Sequence, residues 1–295
     1  ARSGNYRNVW DPSVGFMNAR GLDGKFFKDF DPLEISEKDG FCESNAAIYS
    51  HFVPHDVPGL MELFGGRDKY IKRLDEQFRL SEPNGFFRSS DKAMKQYNWT
   101  DYGNQPGTGM AHMFNRAGAP WLSQKWVRKV KAAYGDITPY GGYRDDEDQG
   151  QMGALGVLMA IGLFEVDGGC STTPAYELTS PLFDKVTIRL NPDYYPGEKF
   201  EIITRNNSER NMYIRRRAST ARCGTIAPCL MPNWSRAALS CLTWAPRQTR
   251  NGGPKHSLNE KDTFDMRLRG SVPVGPGGDR ADDLTRRERG SHGQG

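Results

Sequence analysis

Apolar residues in the first part of the chain recur every three or four positions, which is the spacing of helices with one buried face. This spacing predicts helices over residues 44–55, 59–64, 67–78, 110–116, 120–134 and 152–164. Asp56 is placed to cap the second helix, which has Pro58 in its first turn and a Gly-Gly pair after its end. Polar, glycine-rich loops separate the helices. The pattern therefore predicts helical hairpins around a cavity, as in an α/α toroid.

The pattern changes at Gly168, after which apolar and polar residues alternate along short segments. The alternation predicts antiparallel strands over residues 176–178, 185–190 and 199–204, with turn residues between the last two. The predicted fold class is α+β and mainly α: part of an (α/α)6 toroid with an appended antiparallel β segment. The predicted division is a helical part over 1–167, a β segment over 168–214 and a tail over 215–295 that is expected to be disordered.

Composition and charge exclude some classes of protein. Hydrophobic residues make up 37% and aromatic residues 11% of the 295 residues, which is enough for a sizeable core. No apolar run approaches the roughly 20 residues that a membrane helix requires, so no membrane span is expected. The tail holds 15 Lys and Arg against 7 Asp and Glu, whereas the rest of the chain is mildly acidic. This asymmetry argues against a nucleic-acid partner.

The cysteines and the first residues carry little information about the compartment. The five cysteines form no metal-finger spacing. Cys42 and Cys170 are expected to be free and buried, so they do not indicate a redox environment. The chain opens without a signal pattern, and its localisation is not readable from the residues themselves.

Four consecutive carboxylates, Asp145 to Asp148, precede the last predicted helix. Because adjacent acids repel one another, a folded protein keeps them together at a helix N-terminus, on a metal or in solvent. A solvated and capped helix start therefore explains them without any chemistry. A second acid, Glu43, opens another predicted helix among aromatic residues. Two separated carboxylates beside aromatic residues are also what sugar hydrolysis needs, one to protonate the leaving oxygen and one to activate a water.

Four runs of sequence resemble one known family and occur in the same order. They are residues 52–66, residues 115–121 with Gln124, Val127 and Arg128, residues 146–152, and residues 180–186. The resemblance covers roughly residues 6–214 and is to glycoside hydrolase family 92, whose members are calcium-dependent, inverting exo-α-mannosidases. It implies a mannose-containing glycan as substrate and an N-terminal β-sandwich domain that nothing in this sequence matches. It also suggests a secreted or periplasmic protein.

The resemblance assigns roles to individual residues. Glu43 lies where the family has its general acid, and Asp146 and Asp148 match two aspartates associated with its general base. Asn104 and Gln105 lie in a loop that contacts calcium and substrate in the family. The implied set is catalytic Glu43, Asp146 and Asp148, substrate-binding His55, Asp56, Asn104, Gln105 and Thr108, and calcium-binding Asn104, Gln105 and Asp148. For His55, a core or capping role is the alternative.

The chain departs from the family pattern at several positions. Gln105 replaces the usual Glu, which removes a negative ligand and predicts weaker calcium binding. Residues 107–109 replace Ser-His-His, so no α-1,2 linkage specificity is inferred. Ser44, Ala47 and Leu155 replace Gly, Trp and Trp, which widens or repacks the wall of the expected site.

A general acid must hold its proton at neutral pH. Partial burial of Glu43 among Phe41, Tyr49 and Phe52 is expected to provide this. Two other classes of function stay open. One is an inactive or carbohydrate-binding fragment without its partner domain, and the other is a structural helical toroid with acidic caps.

The tail after Ile214 does not continue the family pattern, and Arg215 to Ala221 are expected to form no strand. If each codon takes the third base of one residue and the first two bases of the next, this stretch can encode SAxLNG, the family's usual continuation. Residues 233–253 can encode a match to the family's closing strand in the same way. The tail is therefore predicted to be frameshifted and the sheet to lack its final strands; an ordinary basic tail is the alternative.

Overall fold

The computed structural model describes residues 2–35, 40–139, 142–168, 176–191, 193, 198–219 and 263–271. Its α-helices are α1 Ala46–Tyr49, α2 Val57–Leu63, α3 Arg67–Ser81, α4 Met113–Arg116, α5 Pro120–Ala133 and α6 Gln151–Ile161. Shorter 3-10 segments cover Arg2–Val9, Glu82–Asn84, Lys92–Tyr97, Gln105–Gly107 and Met110–His112. Within the described ranges, no helix is both long and apolar enough to cross a bilayer.

Helices α2, α3 and α5 confirm the spacing prediction, and α4 covers the second part of the predicted helix over 110–116. Helix α1 is much shorter than the expected helix over 44–55. Asn45 caps α1 by accepting a hydrogen bond from the Ile48 amide, but the chain turns after Tyr49. Two residues later, the buried His51 contacts Gln77 and Tyr70 of α3 through its two ring nitrogens. The tertiary contacts of His51 thus end a helix that its apolar spacing alone would have continued.

The main core lies between α3 and α5. Tyr70, Leu74 and Phe78 of α3 are fully buried at the predicted spacing. The ring of Phe78 stacks on Trp126 of α5 with centroids 5.3 Å apart. The indole nitrogen of Trp126 donates to Asp75 Oδ1 at 2.8 Å, so burial of this side chain leaves its polar atom satisfied.

Three two-stranded hairpins accompany the helices. They pair β1 Trp10–Asp11 with β2 Phe16–Met17, β3 Gly135–Asp136 with β4 Gly142–Tyr143, and β5 Leu163–Phe164 with β6 Glu177–Leu178. The last hairpin corrects the end of the sixth predicted helix, which was expected to reach Phe164. Gly162 adopts a left-handed φ of 78° and ends α6, and the next two residues extend.

A four-stranded sheet contains β7 Lys185–Arg189, β8 Lys199–Arg205, β9 Tyr213–Ser219 and β10 Thr263–Ser271 in the order β7-β8-β10-β9. Strands β7, β8 and β10 are antiparallel neighbours, whereas β10 and β9 are parallel. The side chains of Phe200 and Ile202 pack with Leu163 in a second core beside α6. The predicted antiparallel pairing of residues 185–190 and 199–204 is confirmed.

The tail departs from its prediction at two places. Strand β9 continues through Arg215 to Ser219, where no strand was expected, and β10 lies between β8 and β9 in a sheet that was expected to lack its final strands. Residues 263–269 alternate Phe264, Met266 and Leu268 with charged residues, which is a strand pattern that was overlooked. The rest of 215–295 lies outside the described residues, so its expected disorder and frameshift stay predictions, as does the toroid.

Arg128 of α5 joins the helical part to the β segment. Its guanidinium donates to the backbone oxygens of Ser180, Pro181 and Ser208 and to the side-chain oxygen of Asn207. Five donors in a rigid fork make such multiple contacts possible for arginine and not for lysine. Arg128 therefore fixes the β segment against α5 through several acceptors, and Gln124 of α5 adds a contact by accepting from the Ile214 amide at 2.9 Å.

Candidate active site

The site is built on the loop that contains Asn104 and Gln105. Asp101 anchors the loop from below: it is fully buried, faces the Arg88 guanidinium at 2.8 Å and accepts from the Gly103 amide at 3.0 Å. Gly107 is required for the next turn, because a Cβ there would come within 1.8 Å of the Asp101 carbonyl oxygen. The loop is thus held tightly at both ends of the Asn104-Gln105 pair.

Glu43 reaches this loop from the segment before α1. Its Oε2 accepts a hydrogen bond of 3.0 Å from Asn104 Nδ2. The residue has a left-handed φ of 65°, and its side chain is exposed. The expected partial burial of Glu43 is therefore wrong for this structure: Phe52 is 54% exposed and turned to the surface, and the neighbouring Cys42 is exposed where a buried thiol was expected. Cys170 lies outside the described residues.

The four consecutive carboxylates have four different environments. Glu147 Oε1 accepts from the Gly153 amide at 3.0 Å in the first turn of α6, so the helix-cap interpretation is correct for this residue. Asp145 packs against Gly103, where an added Cβ would lie 2.4 Å from its Oδ2. Asp146 is exposed. Asp148 is half-buried, and its Oδ2 accepts from Gln105 Nε2 at 2.7 Å.

The two predicted carboxylate sites therefore meet on consecutive residues of one loop. Asn104 bonds Glu43 and Gln105 bonds Asp148; we call these four residues the carboxylate-amide network. The exposed Asp146 has no side-chain contact with this network among the described hydrogen bonds. The structure thus brings together Glu43 and one of the two aspartates proposed as the base.

Both acids of the network have backbone conformations that are rare for residues with a Cβ. Asp148 has a φ of 53°, Gln149 has 61° and the following Gly150 has 92°, so three consecutive residues are left-handed before α6 begins. With Glu43, three of the five such non-glycine residues in the described part of the chain lie here. Backbone strain of this kind costs about 1–3 kcal/mol per residue and clusters at functional sites.

A small cleft adjoins the network at Gln105. Gln105 and Thr108 contribute polar groups to its lining, and Thr108 Oγ1 donates to the Gln105 carbonyl at 2.8 Å. The other lining residues are His51, Phe52, Pro54, Pro106, Gly109, Met110, Met113, Phe164 and Val166. A cleft with an aromatic wall and a few polar groups suits a sugar, which has one apolar face and many hydroxyls. The sequence analysis missed His51, Met113 and Phe164 because a distant segment completes the wall.

His55 and Asp56 have contacts away from the network. Asp56 caps α2 by accepting from the Gly59 amide at 2.9 Å and also accepts from the Tyr6 hydroxyl at 2.7 Å. His55 Nε2 lies 2.9 Å from the Ser3 carbonyl oxygen. The capping role that the sequence predicts for Asp56 is confirmed, and the substrate role of both residues stays a prediction without a supporting contact.

Asp101 is a candidate supporting residue that the sequence analysis did not single out. Burial raises the pKa of its carboxyl to about 6 and outweighs the opposite effects of the Gly103 amide and the Arg88 guanidinium. Asp101 lies below the network and holds the loop, so it acts through Asn104 and Gln105. Its position in an Asn-Trp-Thr-Asp run gave no sign that it would be buried.

A family model described as the glycosyl hydrolase family 92 catalytic domain matches residues 1–219. The chain belongs to glycosyl hydrolase family 92. The match includes all four residues of the carboxylate-amide network.

Individual relatives of the family 92 chain are distant. An uncharacterized secreted glycosidase of Arthroderma benhamiae is 27% identical over 238 residues, or 73% of this chain and 28% of that protein. A family 92 inverting mannosidase structure from Bacteroides thetaiotaomicron is 30% identical, with a TM-score of 0.56, and the match covers 72% of this chain and 28% of that one. An α-mannosidase structure from the same organism has 22% identity and a TM-score of 0.60, with 90% and 29% covered; it supports the fold alone. The chain spans less than a third of each relative.

Enzymes of family 92 are generally calcium-dependent, which makes the donors of this site important. Calcium takes six to eight oxygen ligands, among which carboxylates are prominent. Among the residues that the structure describes, no group of three or more His, Cys, Asp or Glu side chains is placed to hold a metal. Of the expected ligands only Asp148 is charged, and both amides direct nitrogen at a carboxylate. This donor set does not fit a calcium ion, and the expected calcium site is not confirmed.

Two buried histidines beside the cleft make stability depend on pH. Burial lowers the pKa of His51 to about 4 and that of His112, which stacks on Phe164 with centroids 4.0 Å apart, to about 3. Both stay neutral in the folded chain, whereas the unfolded chain takes up their protons below about pH 6.5. Their stabilising contribution is therefore present above pH 6.5 and is lost as the pH falls towards 4 and then 3.

We expect the free energy of unfolding to fall between pH 6.5 and 4.5 by about 5 kcal/mol from the two histidines, since each contributes about 1.4 kcal/mol per pH unit. Protonation of Asp101 below pH 6 stabilises the folded chain and offsets about 2 kcal/mol of this loss. Urea unfolding across this pH range measures the loss, and His112→Phe should reduce it by about half of the histidine share. His55→Gln, at an exposed position, is the matched control. Equal pH slopes for wild type and His112→Phe would contradict the assignment.

Proposed function

We propose that the chain carries the acid and base of an exo-acting α-mannosidase that hydrolyses terminal α-linked mannose with inversion. The observation that carries the proposal is the carboxylate-amide network, in which Asn104 and Gln105 hold Glu43 and Asp148 on consecutive residues. Family membership and the name of the 30% identical inverting mannosidase support the substrate class. Secretion is proposed because the Arthroderma benhamiae relative is named as a secreted glycosidase.

In this proposal Glu43 is the general acid and donates its proton to the glycosidic oxygen as the bond to the anomeric carbon breaks. Asp148 is the general base and removes a proton from a water that attacks the anomeric carbon from the opposite face. The product is mannose with inverted configuration. Asp148 is preferred over Asp146 because it is half-buried and oriented by Gln105, whereas Asp146 is exposed. Inversion requires room for the water between the two carboxyls, typically about 6.5–9.5 Å.

The cleft next to Gln105 is the proposed place for the sugar. Gln105 and Thr108 contribute polar groups to its lining, and Phe52 and Phe164 contribute aromatic side chains. Calcium is left out of the proposed mechanism because the donors do not fit it.

The exposure of Glu43 supports a requirement for a further domain. A general acid works best when it is shielded from water, which keeps it protonated at neutral pH. We propose that the β-sandwich domain implied by the family resemblance covers Glu43 and Asp146 in a longer protein. The alternative, a fragment that binds mannose without turnover, has the same exposed acid in its favour.

The test compares the chain alone with the chain joined to the N-terminal portion of a family 92 enzyme, using a panel of α-mannosides. We expect the joined protein to release mannose with inversion and the chain alone to be at least about 100-fold slower, since the acid alone contributes about 10²–10⁴-fold. Nuclear magnetic resonance of the first-formed anomer reports inversion. Mannose binding by both proteins without any release would support the binding fragment instead.

A further inference from the structure

Gln105 holds Asp148 by direct contact. Its Nε2 donates to Asp148 Oδ2 at 2.7 Å, a short distance for an amide and a carboxylate. Asp148 is the first of three consecutive left-handed residues, and Gln105 is the side chain that donates to it in the described hydrogen bonds. A neutral amide thus performs the positioning at this point of the site.

An acid in place of Gln105 would bring two carboxylates face to face at this contact. A carboxylate oxygen in the position of Nε2 would face Asp148 Oδ2 at the same short distance. Two carboxylates that share such a contact cannot both ionise unless a proton or a cation lies between them. A cation with oxygen ligands would satisfy both, whereas the amide nitrogen satisfies Asp148 without one.

We infer that the Gln105 amide takes the place of a divalent cation in this chain, so that Asp148 is positioned without calcium and a single change, Gln105→Glu, creates a calcium site. Asn104 supports the inference independently. It is 6% exposed and directs Nδ2 at Glu43, while its Oδ1 is buried without a hydrogen-bond partner. Both amides of the network therefore present donors to the acids.

The inference concerns cation binding alone and does not depend on whether the chain hydrolyses mannosides. Calcium chloride is titrated into the 295-residue wild type and into Gln105→Glu, with binding followed by calorimetry and stability by thermal unfolding in chelator and in calcium. Gln149→Glu is the matched control, because it adds the same charge beside Asp148 at an exposed residue whose side chain does not contact Asp148 in the described hydrogen bonds.

We expect the wild type to melt at the same temperature in chelator and in millimolar calcium. Gln105→Glu should melt lower in chelator, recover in calcium, and bind calcium at least about tenfold more tightly than wild type, since a carboxylate has joined the ligands. Gln149→Glu should behave as wild type. Tight calcium binding by the wild type would overturn the inference even if Gln105→Glu fails to fold. An equal gain in Gln149→Glu would also overturn it, because charge and not position would then be responsible.

Discussion

Glu43→Gln is expected to abolish hydrolysis of unactivated mannosides while sparing substrates with good leaving groups, in the joined protein that carries the complete site. An alkoxide leaves only when it is protonated, so loss of the acid should cost about 10²–10⁴-fold on such substrates. A nitrophenolate leaves without help and should lose little. Steady-state rates on a mannobiose and on a dinitrophenyl mannoside measure the difference.

The geometry makes the Glu43→Gln result interpretable. Gln has the same length as Glu and keeps an oxygen that accepts from Asn104 Nδ2, so the network retains its shape. Glu62→Gln is the matched control, because Glu62 is an exposed acid of α2 that pairs with Arg7. Equal losses on both substrates would show that Glu43 does not act as the acid. Unchanged rates on both would place the acid elsewhere.

The sequence predicted the acids of the site better than their surroundings. Glu43, Asp148, Asn104 and Gln105 were all selected from the family resemblance, and the structure joins them through two hydrogen bonds. The resemblance could not show that Glu43 is exposed, because burial depends on which segments cover a residue. Asp101 was missed for the same reason, since nothing in its local sequence indicates the approach of Arg88.

The four adjacent carboxylates show where a local interpretation is incomplete. A capped helix start and a functional site were treated as alternatives, but the contact of Glu147 with α6 does not exclude the proposed role of Asp148. Glu147 caps α6, which leaves Asp148 at the preceding turn free to face Gln105. The contact of Glu147 fixes the start of α6, and the left-handed residues after it turn the chain. The helix cap thus helps to position Asp148.

The fold was predictable where periodicity was long and regular. Helices α3 and α5 follow their apolar spacing closely, because their buried faces form the main core. Helix α1 was overestimated because His51 is drawn to Gln77, a contact 26 residues away. Strand β10 was overlooked although Phe264, Met266 and Leu268 alternate with charges. This alternation predicts a strand, but the tail was expected to be disordered.

Asp148→Asn tests the base, with Asp146→Asn as its neighbour and comparison. The joined protein should lose about 10²–10⁴-fold in rate with Asp148→Asn on both good and poor leaving groups, because the water must be activated in either case. Asparagine tolerates the left-handed φ of 53° at this position better than most residues, and its oxygen still accepts from Gln105 Nε2. Loss of rate at unchanged thermal stability would therefore report the missing negative charge.

Asp146→Asn should cost less than about 10²-fold, because the side chain is exposed and outside the network. The ratio of the two rate losses decides between the aspartates. Both variants remove one negative charge from the same run of four acids, so any general electrostatic effect on the site is common to both. A larger loss at Asp146 would transfer the base to that residue and reduce Asp148 to a positioning role. Near-normal rates for both would show that the base is neither Asp146 nor Asp148. We expect the larger loss at Asp148, because a base held by an amide in a half-buried turn activates water in a fixed direction. A free surface carboxylate such as Asp146 does not.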